Sequence, residues 1–155
     1  MHSRPGQGEQ LWVLGCFAEI VVPGEAVEDR FALIEFLAPR HLSPPLHTHP
    51  QDETFILVDG RLTFQAGEER FDAETDATVV VPAGVRHTWR VDSETARMLV
   101  ISTPAGIDRL FRDAGVPAAS PTLPPAGVGP PPEVVAQALR RHRHDNFGPP
   151  LGPDD

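Results

Sequence analysis

Between residues 11 and 103 the chain never stays apolar for long. Runs rich in β-branched, aromatic and other apolar residues at 11–22, 31–38, 54–58, 61–66, 78–81, 87–91 and 97–103 are each cut off by Pro, Gly or Asp. Many short strands with turn residues at near-regular intervals predict an all-β sandwich or barrel. Residues 11–22 read as one or two edge strands. Asp59-Gly60, between the alternating run 54–58 and residues 61–66, reads as a hairpin turn.

The pattern changes after Thr103. Ile107, Leu110 and Phe111 would share one face of a short helix over 107–114. The chain has 18 prolines, and their late clustering makes 116–132 an irregular strap. Pro132-Glu133 opens a second helix running to about 143, since proline suits the first turn and an acid suits the positive end. The tail 146–152 is aperiodic. At 155 residues the chain is one folding unit. We divide it into a β-barrel over 1–103, with its core motifs in 44–91, and a helical, Pro-rich extension over 104–155 that packs on the barrel.

With 13 basic against 22 acidic residues, a net charge of −9, the chain lacks the basic footprint that nucleic acid or an anionic membrane requires. No apolar run approaches a membrane span. A single cysteine excludes an intrachain disulfide and fits the cytoplasm, and Cys16, in an apolar run, reads as a small buried hydrophobe.

The chemistry concentrates in Pro44-Pro45-Leu46-His47-Thr48-His49-Pro50-Gln51-Asp52-Glu53. In an extended strand i and i+2 share a face, so His47 and His49 can point at one atom. A turn at 50–52 would return Glu53 to the same side. Downstream, Pro82-Ala83-Gly84 leads into His87, the candidate for a further nitrogen donor. Three imidazoles and a carboxylate are costly to bury without a cation, and this donor set suits one divalent transition metal: manganese, iron, nickel, cobalt, copper or zinc. His41 reads as a solvated turn residue and Arg86 as a surface charge. His142 and His144 are two apart on an expected helix, do not face each other, and read as a solvated basic patch.

His47-x-His49, the three-residue gap to Glu53 and the six-residue gap to Gly60 resemble the first motif of the cupin family. Pro82, Gly84 and His87 resemble the second. The chain departs from the pattern at His41 and Asp76, where the family prefers Gly, and at Val91, where it prefers Asn. Asp visits the left-handed region readily, so Asp76 is a tolerable replacement. The flanks 11–15, 103–106 and 148–151 are similar to a group of small bacterial cupins labelled quercetin dioxygenase-like. The resemblance implies a double-stranded β-helix, or jelly-roll barrel, with short C-terminal helices and the metal inside, held by His47, His49, Glu53 and His87. It also implies a homodimer.

In that fold Phe55 and Leu57 share the face of Glu53, and Trp89 shares the face of His87. Phe36, Phe64 and Met98 are further expected walls of a substrate pocket. An aromatic-lined cavity suits an aromatic small molecule. The resemblance implies a dioxygenase acting on a phenolic or enolisable substrate with dioxygen, and Glu53 as both ligand and catalytic base. A non-redox isomerase or cyclase, and a small-molecule-binding cupin without turnover, are the alternatives.

Overall fold

Alternating burial is the organising feature of the computed structural model, which describes residues 1–155. The strands are β1 (Glu9–Val13), β2 (Cys16–Val22), β3 (Ala32–Pro39), β4 (Leu46–Thr48), β5 (Asp52–Asp59) and β6 (Arg61–Ala66). They continue as β7 (Glu69–Glu74), β8 (Thr78–Val81), β9 (His87–Val91), β10 (Thr95–Thr103), β11 (Gly115–Pro117) and β12 (Asp145–Gly148). Two helices, α1 (Ile107–Ala114) and α2 (Pro132–Arg141), interrupt the last strands. One sheet has the order β11-β1-β2-β3-β10-β5-β8 and the other β12-β4-β9-β6-β7. Every pairing is antiparallel.

The expected all-β barrel is what the chain forms, and its interior is built by parity. In β3, Ala32, Ile34, Phe36 and Ala38 are buried while the residues between them are less so. β10 sets Met98 opposite both Phe36 and Leu57, Val100 opposite Ile34 and Phe55, and Ser102 opposite Ala32 and Glu53. Side chains at i and i+2 share a sheet face. Glu53 therefore points inward for the same reason that Phe55 and Leu57 do, and its row ends where the apolar rows give way to polar ones.

Asp59-Gly60 does not make a hairpin. β5 lies between β10 and β8 in one sheet, whereas β6 lies between β9 and β7 in the other. The dipeptide is a corner at which the chain changes sheets. Gly60 has φ +112°, and a Cβ there would come within 2.8 Å of both Ser93 Oγ and the Thr95 carbonyl. Close approach as well as backbone conformation thus requires glycine. Nor are β1 and β2 edge strands, because β11 covers β1 and β2 is interior.

The extension departs most from the expectation of an irregular strap and tail. Residues 104–155 add one strand to each sheet, β11 beside β1 and β12 beside β4. Such short strands carry too few residues to show a period, and their partner edges define them. Trp12 Nε1 donates to the Thr122 carbonyl at 2.8 Å and holds the intervening strap down.

α1 is seated by Asp108, which is 0% exposed. Its carboxylate accepts from the backbone N–H of Gly24 at 2.8 Å and of Gly106 at 2.9 Å. Asp108→Ala would strand two buried donors at about 1–3 kcal/mol each. Urea unfolding is expected to show a loss of several kcal/mol, and a loss below about 0.5 kcal/mol would contradict this role for Asp108.

Candidate metal centre

β4 and β9 run side by side with His47 directly opposite His87, and His49 follows just beyond the end of β4. The metal-ligating atoms of His47, His49 and His87 lie within 4.8 Å of one another. Ring centroids are 4.4 Å apart for His47 and His87, 4.9 Å for His49 and His87, and 5.5 Å for His47 and His49. Glu53 reaches the group from the facing sheet. Its Oε2 is 2.9 Å from His49 Nε2 and 3.3 Å from His87 Nε2.

The backbone fixes which nitrogen each ring presents. His47 Nδ1 is 2.7 Å from the Pro45 carbonyl, His49 Nδ1 is 3.0 Å from that of Gln51, and His87 Nδ1 is 2.9 Å from that of Val85. A carbonyl can only accept, so Nδ1 carries the proton in all three and donates it outward. Each Nε2 is left facing the interior, the arrangement that orients ligating histidines. His87 Nε2 is buried with no hydrogen-bond partner, 3.3 Å from Glu53 Oε2. His49 Nε2 and Glu53 Oε2 would face each other as two acceptors unless a cation sits between them. A proton on His49 or a metal ion meets that need, and the three imidazoles and carboxylate fit the metal.

The same geometry sets the protonation states. Burial alone would push the Glu53 carboxyl up, but the hydrogen bond from His49 and the two neighbouring imidazoles outweigh it and hold the group well below the usual carboxylate range. Burial also opposes charge on His49, and the Glu53 carboxylate overcomes it and raises that pKa. His47 is pushed down to about 4 by burial and then by His87.

A cavity of about 270 Å³ opens beside this group. Of the expected walls, Phe36, Phe55 and Trp89 line it, joined by Ile107, Phe111 and Leu139 from the two helices. Leu57, Phe64 and Met98 do not. They sit at 2%, 1% and 0% exposure in the core, with Leu57 and Met98 one row further from the histidines and Phe64 packed on Phe55 at 5.2 Å. His47, Glu53 and His144 supply the charged or ionisable groups of the cavity's lining.

His144 is a correction to the sequence reading. It is not in a solvated patch: its ring lies 4.9 Å from that of His49 and 5.4 Å from that of His47, stacked on the latter at 13°. α2 closes with the Arg143 N–H on the Arg140 carbonyl and the His144 N–H on the Leu139 carbonyl, with Arg143 at φ +59°. This is a Schellman closure, which normally announces itself by glycine. Arginine at that position hid the stop, so His144 was counted on a helix that ends before it. His142 turns away from His144 as their spacing predicts, but it is half-buried against Asp113 at 2.6 Å rather than solvated. His41 is exposed at φ +66°, and Asp76 has φ +72°, so both non-glycine residues adopt the left-handed backbone at the departures from the motif. Arg86 is exposed and lies over the Phe147 ring at 4.1 Å. Cys16 is buried, and burial pushes its thiol up to about 12.

These protonation states make stability depend on pH. His47 and His144 are pushed down to about 4 and about 3 from an ordinary 6.5, in each case by burial first and then by neighbouring imidazoles. From 6.5 downward the unfolded chain gains protons on them that the folded chain does not accept, so stability falls with pH. His49 works in the opposite direction and offsets part of the loss. Thermal melts of chelator-treated protein are expected to show a net loss of a few kcal/mol between about pH 7 and pH 4, after allowance for partial exposure of the two rings. A flat profile would contradict these assignments.

Two antiparallel sheets closed around inward-facing histidines define a cupin-type barrel. Residues 33–102 match the Cupin domain, and the chain belongs to the cupin family. An uncharacterised protein of Streptomyces coelicolor is 33% identical over 84 residues, covering 47% of this chain and 80% of that protein. Quercetin 2,3-dioxygenase of Bacillus subtilis is 26% identical over 115 residues, covering 74% of this chain but 34% of the enzyme, so this chain spans about a third of its length. Among solved structures, the polyketide cyclase RemF of Streptomyces resistomycificus aligns with a TM-score of 0.58 at 17% identity, over 66% of this chain and 79% of that one. At that identity the likeness concerns the fold alone. No helix is long and apolar enough to cross a membrane.

Proposed function

We propose that the chain is a metal-dependent cupin enzyme, a quercetinase-like dioxygenase in which His47, His49, His87 and Glu53 hold one divalent transition ion. The observation that carries this reading is a mostly apolar cavity whose lining includes His47 and Glu53 of that donor group. A divalent ion held there would supply Lewis acidity and, where redox-active, electron exchange with dioxygen.

The chain's own residues do the rest. Both imidazole contacts of Glu53 fall on Oε2, which leaves Oε1 as the acceptor for a substrate hydroxyl proton. The depressed carboxyl pKa keeps Glu53 ionised and suited to pair with a cation. Phe36, Phe55 and Trp89 would hold a planar ring against the donor group and exclude water from it. At about 270 Å³ the cavity falls below the roughly 300–1,000 Å³ of pockets for drug-sized ligands. The proposed substrate is accordingly a compact phenol or enol of one or two rings. A cytoplasmic location and a homodimer belong to the same reading, and sedimentation equilibrium tests the latter.

The test is an oxygen electrode trace with protein loaded with manganese, iron, cobalt or nickel, challenged with compact enolisable phenols and with flavonols. Oxygen uptake matched by product is the expected result. Product without uptake would instead make the protein a non-redox isomerase or cyclase, and tight binding without product would make it a binding protein.

A further inference from the structure

We infer that His144 is a further imidazole donor to the candidate metal centre, supplied by the C-terminal segment, so that metal binding and docking of that segment are one event. The inference rests on the metal-centre reading above and adds to it a residue outside the His47, His49, Glu53 and His87 set.

His144 Nε2 is buried and has no hydrogen-bond partner. In this it resembles His87 Nε2 and differs from His142, which is satisfied by Asp113. Its ring spacings to His49 and His47, 4.9 and 5.4 Å, fall within the 4.4–5.5 Å range that the three grouped histidines keep among themselves. Imidazoles that share one ion at about 2.1 Å, at angles from a right angle to a little beyond the tetrahedral value, place their ring centres on the order of 4.5–5.5 Å apart. A histidine held only for substrate contact would have no reason to match that spacing to two ligands at once.

The path that delivers it is fixed at several points. The Schellman closure turns the chain off α2, and β12 then sets Asn146 opposite His47 and Asp145 opposite Thr48. Arg86 stacks on Phe147, and beyond β12 the Leu151 N–H donates to Ser43 Oγ at 3.0 Å. The segment that carries His144 is thus paired along the strand that carries His47. Two events linked in this way promote each other by the same factor.

The experiment compares cobalt and zinc titrations of the wild-type chain with those of His144→Ala and His142→Ala. Hydrogen exchange over residues 145–148 and nitrogen NMR of the ring atoms are followed in parallel. Wild-type protein is expected to bind one ion, which slows exchange in β12 and shifts His144 Nε2 together with the Nε2 atoms of His47, His49 and His87. His144→Ala should bind at least about tenfold more weakly, with an altered cobalt absorption spectrum, while His142→Ala matches wild type. The ring shifts need no variant and decide the matter even if His144→Ala folds poorly. Wild-type metal binding with an unmoved His144 resonance, or a His144→Ala protein of unchanged affinity and cobalt spectrum, would overturn the role of His144 alone. A wild-type chain that binds no metal would overturn the metal centre as well.

Discussion

Glu53→Gln is expected to lower turnover by about 10²–10⁴-fold, the usual contribution of a positioned general base, while the protein still retains its ion. The amide keeps the size and one acceptor of the side chain but has no charge and cannot take up a proton near neutral pH. Three imidazoles remain to hold the ion, so metal content and turnover should separate. Elemental analysis beside steady-state kinetics reads both quantities. Wild-type turnover in the variant would remove Glu53 from the proton-transfer role and leave it a ligand at most.

Replacing His87 has the larger effect on binding. Outer partners of metal ligands are worth about 10–100-fold in affinity, so His87→Ala, which deletes a donor outright, is expected to lose more than about 100-fold. The ring is 1% exposed and presents a buried Nε2 with no other partner. Its removal leaves His47 and His49 without the strand partner that completes the group. Calorimetric titration checks the affinity, and circular dichroism checks that the variant keeps the β content of the wild type. Affinity within tenfold of wild type in a folded variant would exclude His87 from the site.

What could be read from the sequence was what local spacing controls. His47 and His49 share a face because they are two residues apart, and Glu53 follows at the distance of one tight turn. The burial alternation of β3, β5 and β10 extends the same period of two through the core. α1 was legible to its last residue because Ile107, Leu110 and Phe111 repeat at helical spacing. Wherever a distant partner decides, the local pattern fell short. Asp59-Gly60 has hairpin chemistry, but β5 and β6 find their partners in different sheets. β11 and β12 are strands only because β1 and β4 offer them edges.

The cavity shows the same division. Parity put Leu57 on the face of Glu53, yet lining the cavity differs by one row, and only the register between strands decides that. His144 was lost to a different cause. The helix stop before it is written in Arg143, a residue that gives no local warning of a left-handed backbone. Its position two residues beyond His142 then suggested a surface pair. The signal that would have found it is the orphaned ring nitrogen, which exists only in three dimensions.

X-ray absorption at the metal edge of the purified, metal-loaded protein tests the central claim most directly, with bound metal measured on the same sample. One ion per chain in a shell dominated by at least three imidazoles, with an oxygen donor beside them, is the expected result. An ion retained below stoichiometry, or a shell of oxygen donors without imidazole scattering, would show that His47, His49 and His87 are not a metal centre.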